Sequence, residues 1–181
     1  MKMEYRTFEV EETDTDKMRV SGYAAKYRSD SLPLTYQGRE VIETIEPGAF
    51  DESLRSPDVS FYFQHDPQMP LASTLSGTLN LRSDDVGLAF DAQLANTQLG
   101  RDAMELLRVG IVRQMSFGFF VRKEDMSQAG RRILRDIDLR EISIVERAAY
   151  PEANIAARSI SFTKARVRAF LSLRKVPPCQ I

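Results

Sequence analysis

A mainly β domain with flanking helices (α+β), its sheet curled into a small closed or partly open antiparallel barrel, is the fold class predicted for this 181-residue chain. Three observations predict it. Seven or more segments alternate apolar and polar residues at the period of a strand. Only two internal segments carry helical spacing. Strands that succeed one another with so few helices between them close more economically as a barrel than as a doubly wound sheet. No internal repeat is present.

In chain order, Phe8 and Val10 alternate with polar neighbours, Met18 to Tyr27 reads as extended, and so does Glu40 to Glu46 with Val41, Ile42 and Ile45. Pro47 to Leu54 has the leading proline, early acids and spaced apolar residues of a short helix, which ends before Pro57. Val59 to Gln64 is aromatic and β-prone, with a turn expected at Asp66-Pro67, and alternating strands follow at Leu75 to Leu81 and Val86 to Leu94. Asn96 or Thr97 caps a helix whose apolar stripe is Leu99, Ala103, Leu106 and Leu107, and Gly110 stops it. Gln114 to Lys123 returns to strand, Glu124 to Gly130 turns, and Arg131 to Ile137 and Arg140 to Glu146 are expected as two further strands. Arg147 to Ala157 reads as a connection to a terminal helix around Ile160 to Arg174. The expected division is therefore a domain over residues 1–157 and a basic helical tail over 158–181.

Hydrophobic residues make up 43% and charged residues 28%, the balance of a globular protein with one substantial core. No apolar run is long enough to span a membrane, and the first residues lack the apolar core of a secretory signal, so an intracellular setting is expected. Cys179 is the only cysteine and His65 the only histidine, which excludes an internal disulfide and leaves no ligand set for a zinc or other transition-metal site. No cofactor is expected. Net charge is close to zero, with 25 basic and 26 acidic residues, yet six basic residues and no acidic one follow Glu152. That tail suits an acidic protein surface, or no partner at all. With little aromatic interleaving beyond Phe162 and Phe170, it is a poor nucleic-acid binder.

Any chemistry near neutral pH that needs an imidazole runs through His65, in Phe61-Tyr-Phe-Gln-His-Asp66. It shares strand parity with Phe61 and Phe63, so the strand is expected to end before it and the following turn to swing the ring outward. In Gln114 to Val121, Met115, Phe117, Phe119 and Val121 point one way and Ser116 and Gly118 the other. Taken alone, Ser116 is an ordinary outward serine beside a glycine that bends the sheet. In Leu139 to Glu146, Ile142 and Ile144 share the core side while Glu141, Ser143 and Val145 share the other. A carboxylate at Glu141 is placed to orient an imidazole. Glu146 has core-side parity near the strand end and is the second candidate; either glutamate equally suits a solvated surface.

These segments resemble the prohead proteases of tailed bacteriophages, the HK97-like family, whose fold is similar to that of herpesvirus assemblins. The matching pieces are Gly22-Tyr-Ala24, Ile45-Glu-Pro-Gly-Ala-Phe50, Phe63-Gln-His-Asp66, the helix between Gly100 and Gly110, Met115-Ser-Phe-Gly-Phe119, and Leu139-Arg-Glu-Ile-Ser-Ile-Val145 running on to Ala149-Tyr-Pro151. They cover residues 18 to 157 in the family's order. The resemblance implies a serine endopeptidase of capsid maturation, acting inside the assembling prohead in the host cytoplasm and cutting the scaffolding segment of the major capsid protein, and also itself. Ser116 would be the nucleophile, His65 the general base and Glu141 the orienting residue. In the herpesvirus relatives the third member is a second histidine, which this chain lacks, so a carboxylate fills that role or nothing does. Oxyanion donors stay open between the amides near Phe117 and Gly118 and the Arg131-Arg132 loop.

The implied partners are the major capsid protein with its scaffolding segment, the portal as a further candidate, and other copies of the chain. The alternative function is a non-catalytic capsid-assembly or scaffold-binding module on the same fold. Nucleic acid and membrane are not expected partners.

Overall fold

The computed structural model describes residues 3–9, 12–14, 17–55 and 57–146. The expected connection after Arg147, the terminal helix and the basic tail lie outside the described residues. The strands are β1 (Glu4–Glu9), β2 (Glu12–Asp14), β3 (Arg19–Lys26), β4 (Leu34–Tyr36), β5 (Arg39–Ile45), β6 (Ser60–Phe63), β7 (Asp66–Ser73), β8 (Leu79–Ser83), β9 (Gly87–Gln93), β10 (Val112–Asp125) and β11 (Arg131–Glu146). Two helices, α1 (Asp51–Leu54) and α2 (Gln98–Arg108), interrupt them. The protein is mostly β, and its main sheet curls into a half-barrel, the partly open form of the expected architecture. No helix among the described residues is long and apolar enough to cross a membrane.

The larger sheet runs β1-β10-β11-β5-β4, with β6 also on β11 and β7 on β6, and the smaller runs β2-β3-β9-β8. Pairing is antiparallel except at β11, which takes β5 and β6 as parallel neighbours. The expected pair of strands over 131–146 is in fact one strand of 16 residues. Its first part pairs with β5 at Arg131 to Leu134 and its last part with β6 at Glu141 to Ile144. Between them the backbone would lack a neighbour, and the segment around α1 supplies one. Ala49 O accepts from Ile137 N (3.0 Å), while Ser53 Oγ donates to Ile137 O (2.8 Å) and accepts from Leu139 N (2.9 Å). Buried backbone polar groups are thereby satisfied without a strand. At each of the four register shifts between β10 and β11 the extra residue is an arginine: Arg113, Arg122, Arg135 and Arg140. All four are exposed. A bulge accommodates the odd residue while the apolar alternation on either side keeps its face.

The helices differ from expectation in detail. Helix α1 begins at Asp51 and not near Pro47, because Gly48 takes a left-handed backbone (φ 85°) that no helix interior contains. Thr97 caps α2, its hydroxyl accepting from Gly100 N (3.1 Å). The buried face of α2 is Gly100, Ala103, Met104 and Leu107, together with Asp102, and Leu99 and Leu106 stand at its margins. The core is aromatic at its centre. Phe117 stacks on Phe119 (5.0 Å) and meets Phe50 edge-on (5.8 Å), and Phe61 meets Phe90 edge-on (5.9 Å).

A second feature of the sheet is ionic. Arg132 is fully buried and donates to Glu4, Glu43 and Glu124, with its guanidinium 3.7 Å from the centre of the Tyr36 ring. Arg6 joins from β1 through Glu43, at 2.5 and 2.6 Å. Burial works against the Arg132 charge, but the hydrogen bonds and charges of Glu4, Glu124 and Glu43 outweigh it and hold the guanidinium protonated more firmly than usual.

Candidate active site

His65 owes its position to a hairpin that its sequence does not announce. Strands β6 and β7 pair antiparallel with Phe63 opposite Asp66, leaving Gln64 and His65 as a two-residue loop. Both are left-handed, at φ 57° and 56°, the form that matches the twist of the flanking strands. The expected turn at Asp66-Pro67 is therefore two residues earlier, and Asp66 already belongs to β7. The next strand is displaced as well: Leu75 lies in an exposed turn and β8 starts at Leu79. The strand does end before His65, as expected, and the left-handed backbone carries the ring off the Phe61–Phe63 alternation. Gln64 N donates to Ile144 O (2.9 Å), which fastens the loop to the last part of β11.

Ladder register assembles the remaining groups. Ser116 on β10 lies opposite Ser143 on β11, which lies beside Tyr62 on β6, and Thr7 on β1 completes that row. The neighbouring row is Tyr5, Gly118, Glu141 and Ser60. Laterally paired residues share a face of a sheet, so Ser116, Ser143 and Glu141 stand on one side, as the alternation implies. That side is not solvated. Ser116 is 1% exposed, Glu141 4% and Ser143 0%. Its cover includes the N-terminal segment: a Cβ on Gly118 would stand 2.7 Å from Met3 Cε, and 2.8 Å from Tyr5 Cε1 and Glu141 Cγ. The glycine is what lets these three side chains close over the strand.

The Glu141 carboxylate is divided between two partners. Its Oε1 lies 2.5 Å from His65 Nδ1, and its Oε2 accepts from Ser143 Oγ at 3.4 Å. A carboxylate accepts hydrogen bonds, so Nδ1 carries the proton and the lone pair of the neutral ring is left on Nε2. Ser116 Oγ is buried with no hydrogen-bond partner among the described residues. The Tyr5 ring meets the His65 ring edge-on, with centroids 4.5 Å apart. Burial and then the Glu141 charge push the Tyr5 phenol up, so it stays neutral beside the carboxylate.

The structure thus joins His65 to Glu141 and puts Ser116 on their face. Glu146 is exposed at the end of β11, opposite Val112, away from this pairing. Of the suggested oxyanion sources, Phe117 and Gly118 lie in a strand paired on both sides, with a register shift just after Gly118, and Arg131 and Arg132 are engaged by Asp30 and by Glu4, Glu43 and Glu124. Ser143 and Tyr5 also touch the His65–Glu141 pair, Ser143 through Glu141 Oε2 and Tyr5 through the His65 ring. The parity of Ser143 with Glu141 was legible, whereas nothing in sequence places β1 beside β10.

A serine and a buried carboxylate on one face of a curled β sheet, with a loop imidazole held by the carboxylate, are groups that a serine peptidase uses. Residues 5–166 match the family model described as caudovirus prohead serine protease, and the chain belongs to that family. Among solved structures, the capsid assembly protease gp21 of bacteriophage T4 shares the fold, with a TM-score of 0.56, 10% identity, and coverage of 80% of this chain and 96% of that one. No curated protein sequence matches the chain.

Proposed function

We propose that the chain is the serine endopeptidase of capsid maturation, cutting the scaffolding segment of the major capsid protein inside the assembling prohead, and its own basic tail. The observation that carries this reading is the contact of His65 Nδ1 with Glu141 Oε1 at 2.5 Å, made on the sheet face that also bears Ser116. Membership of the prohead protease family and a fold shared with a capsid assembly protease support the substrate class.

In this reading His65 Nε2 takes the Ser116 hydroxyl proton as Oγ attacks the scissile carbonyl carbon, and Glu141 stabilises the imidazolium so formed. His65 then gives the proton to the departing amine, leaving an acyl group on Ser116. A water, deprotonated by the same imidazole, releases the new carboxyl end and restores the serine. Nucleophile and base commonly tighten their hydrogen bond only when substrate is bound, which accords with a Ser116 Oγ that has no partner among the described residues.

A binding module on the same fold needs no imidazole held by a buried carboxylate, and leaving such a group desolvated without use is unfavourable. The test is the mass of the capsid protein and of the chain before and after assembly. Proteolysis predicts a capsid protein shortened by its scaffolding segment and a chain shortened at its tail. Unchanged masses of both in mature particles contradict it and favour the binding module.

A further inference from the structure

The N-terminal strand brings to this site a side chain that the proteolytic mechanism does not use. Tyr5 lies opposite Gly118, and Gly118 opposite Glu141, so phenol and carboxylate stand on one side of the sheet with no side chain between them. The Tyr5 ring is 4.5 Å from the His65 ring at an angle of 63°. It is the more exposed of the two rings, with Tyr5 39% accessible against 21% for the histidine side chain. The Tyr5 hydroxyl has no hydrogen-bond partner among the described residues, so the ring alone makes the contact.

The other face of the same strand is anchored. Glu4 and Arg6 alternate with Tyr5 and enter the buried ionic cluster: Arg132 donates to Glu4 at 2.5 and 2.8 Å, and Arg6 to Glu43 at 2.5 Å. An edge strand held only by its ladder to β10 would fray readily. This one is pinned through a guanidinium with no solvent contact.

We propose that Tyr5 is a positioning residue: the N-terminal strand, pinned on its other face by Glu4 and Arg6, seats the phenol ring on His65, fixes the imidazole plane toward Glu141 and keeps water off their hydrogen bond. The proposal rests on His65 and Glu141 forming the catalytic pair. It extends the site to a strand that is remote in sequence from every proposed member of the triad.

Because the chain has one histidine, imidazole nitrogen labelling of the full-length protein gives a single ring to follow by NMR. The Nδ1 proton should resonate far downfield and exchange slowly with water. Tyr5→Phe retains that signal, whereas Tyr5→Leu loses it to exchange, and so does Arg6→Met, which touches neither ring. In scaffold cleavage, Tyr5→Leu lowers kcat by roughly 10- to 100-fold with little change in KM, the scale of a small misplacement of a reacting group. Tyr5→Phe leaves kcat unchanged. A folded Tyr5→Leu protein with wild-type proton exchange overturns the proposal, as does a Tyr5→Phe protein that loses the signal. The proton is read without substrate, so this result stands apart from any failure of the protease assignment, which appears instead as cleavage that persists in Ser116→Ala.

Discussion

Glu141 Oε1 lies 2.5 Å from His65 Nδ1, so a residue near the end of the longest strand holds the ring of a residue in a tight hairpin loop 76 positions earlier. Two separate devices make the contact. The left-handed loop turns the ring away from the Phe61–Phe63 alternation, and the parallel pairing of β6 with β11 sets the depth at which the carboxylate meets it.

Glu141→Gln is expected to lower kcat for scaffold cleavage by about 10³- to 10⁴-fold, because an amide in that place favours the wrong imidazole tautomer. Glu146→Gln, at the exposed end of the strand, is expected to leave kcat essentially unchanged. Steady-state cleavage of a scaffold peptide measures both, and equal losses would remove Glu141 from the mechanism.

Gly118→Ala places a methyl group within 2.7–2.8 Å of Met3, Tyr5 and Glu141. Something must shift. The expected destabilisation is about 1–3 kcal/mol, as for other overpacked sites, with a loss of turnover beyond what the unfolded fraction explains. Denaturant unfolding and cleavage on one preparation separate the two effects. A variant with unchanged turnover would show that close packing around Gly118 is unrelated to the site.

Much of this was legible in the residues themselves. The alternation in Gln114 to Val121 and in Leu139 to Glu146 put Ser116, Ser143 and Glu141 on one face, and it held because the bulge at Arg140 falls just before Glu141. Burial of that face was not legible, since it depends on β1 pairing with β10 across more than a hundred residues. The hairpin loop was missed because Gln64 and His65 carry none of the glycine or asparagine signals of a left-handed turn. That β11 is one strand was not legible, because its middle pairs on one side with no strand: Ile137 N donates to Ala49 O, Leu139 N donates to Ser53 Oγ and Ile137 O accepts from it. Arg132, expected in a loop that could donate to an oxyanion, lies instead within β11 and is buried because glutamates from β1, β5 and β10 converge on it.

Arg132→Met is expected to destabilise the fold by about 3–5 kcal/mol, since Glu4, Glu43 and Glu124 would lose the buried guanidinium they share, with Arg6 alone left to face Glu4 and Glu43. Arg19→Met, which breaks the exposed pair with Asp91, is expected to change stability by less than about 1 kcal/mol. Chemical denaturation compares the two. Similar small effects would mean that the cluster contributes nothing beyond a surface ion pair.

Glu4 gives the cluster a pH dependence. Burial raises its carboxyl pKa, but hydrogen bonds and charges from Arg132 and Arg6 outweigh that and hold it below the ordinary glutamate value. A carboxyl with a lowered folded pKa stabilises the fold fully above its unfolded value, about 4.3, and that contribution is lost as pH falls through the folded one. Amide exchange in β1 should therefore accelerate below that value before exchange in β10 or β11 does, and Glu4→Gln should remove the effect. Protection that fades together in all three strands would contradict this.

The most direct test is the fate of the capsid precursor when it is co-expressed with the full-length chain carrying Ser116→Ala. The wild-type chain should yield a capsid protein without its scaffolding segment. Ser116→Ala, folded and assembled alike, should leave the precursor and the chain itself intact, with His65→Ala comparably damaging because triad members act as a unit. Precursor processing by Ser116→Ala at the wild-type rate would contradict the account.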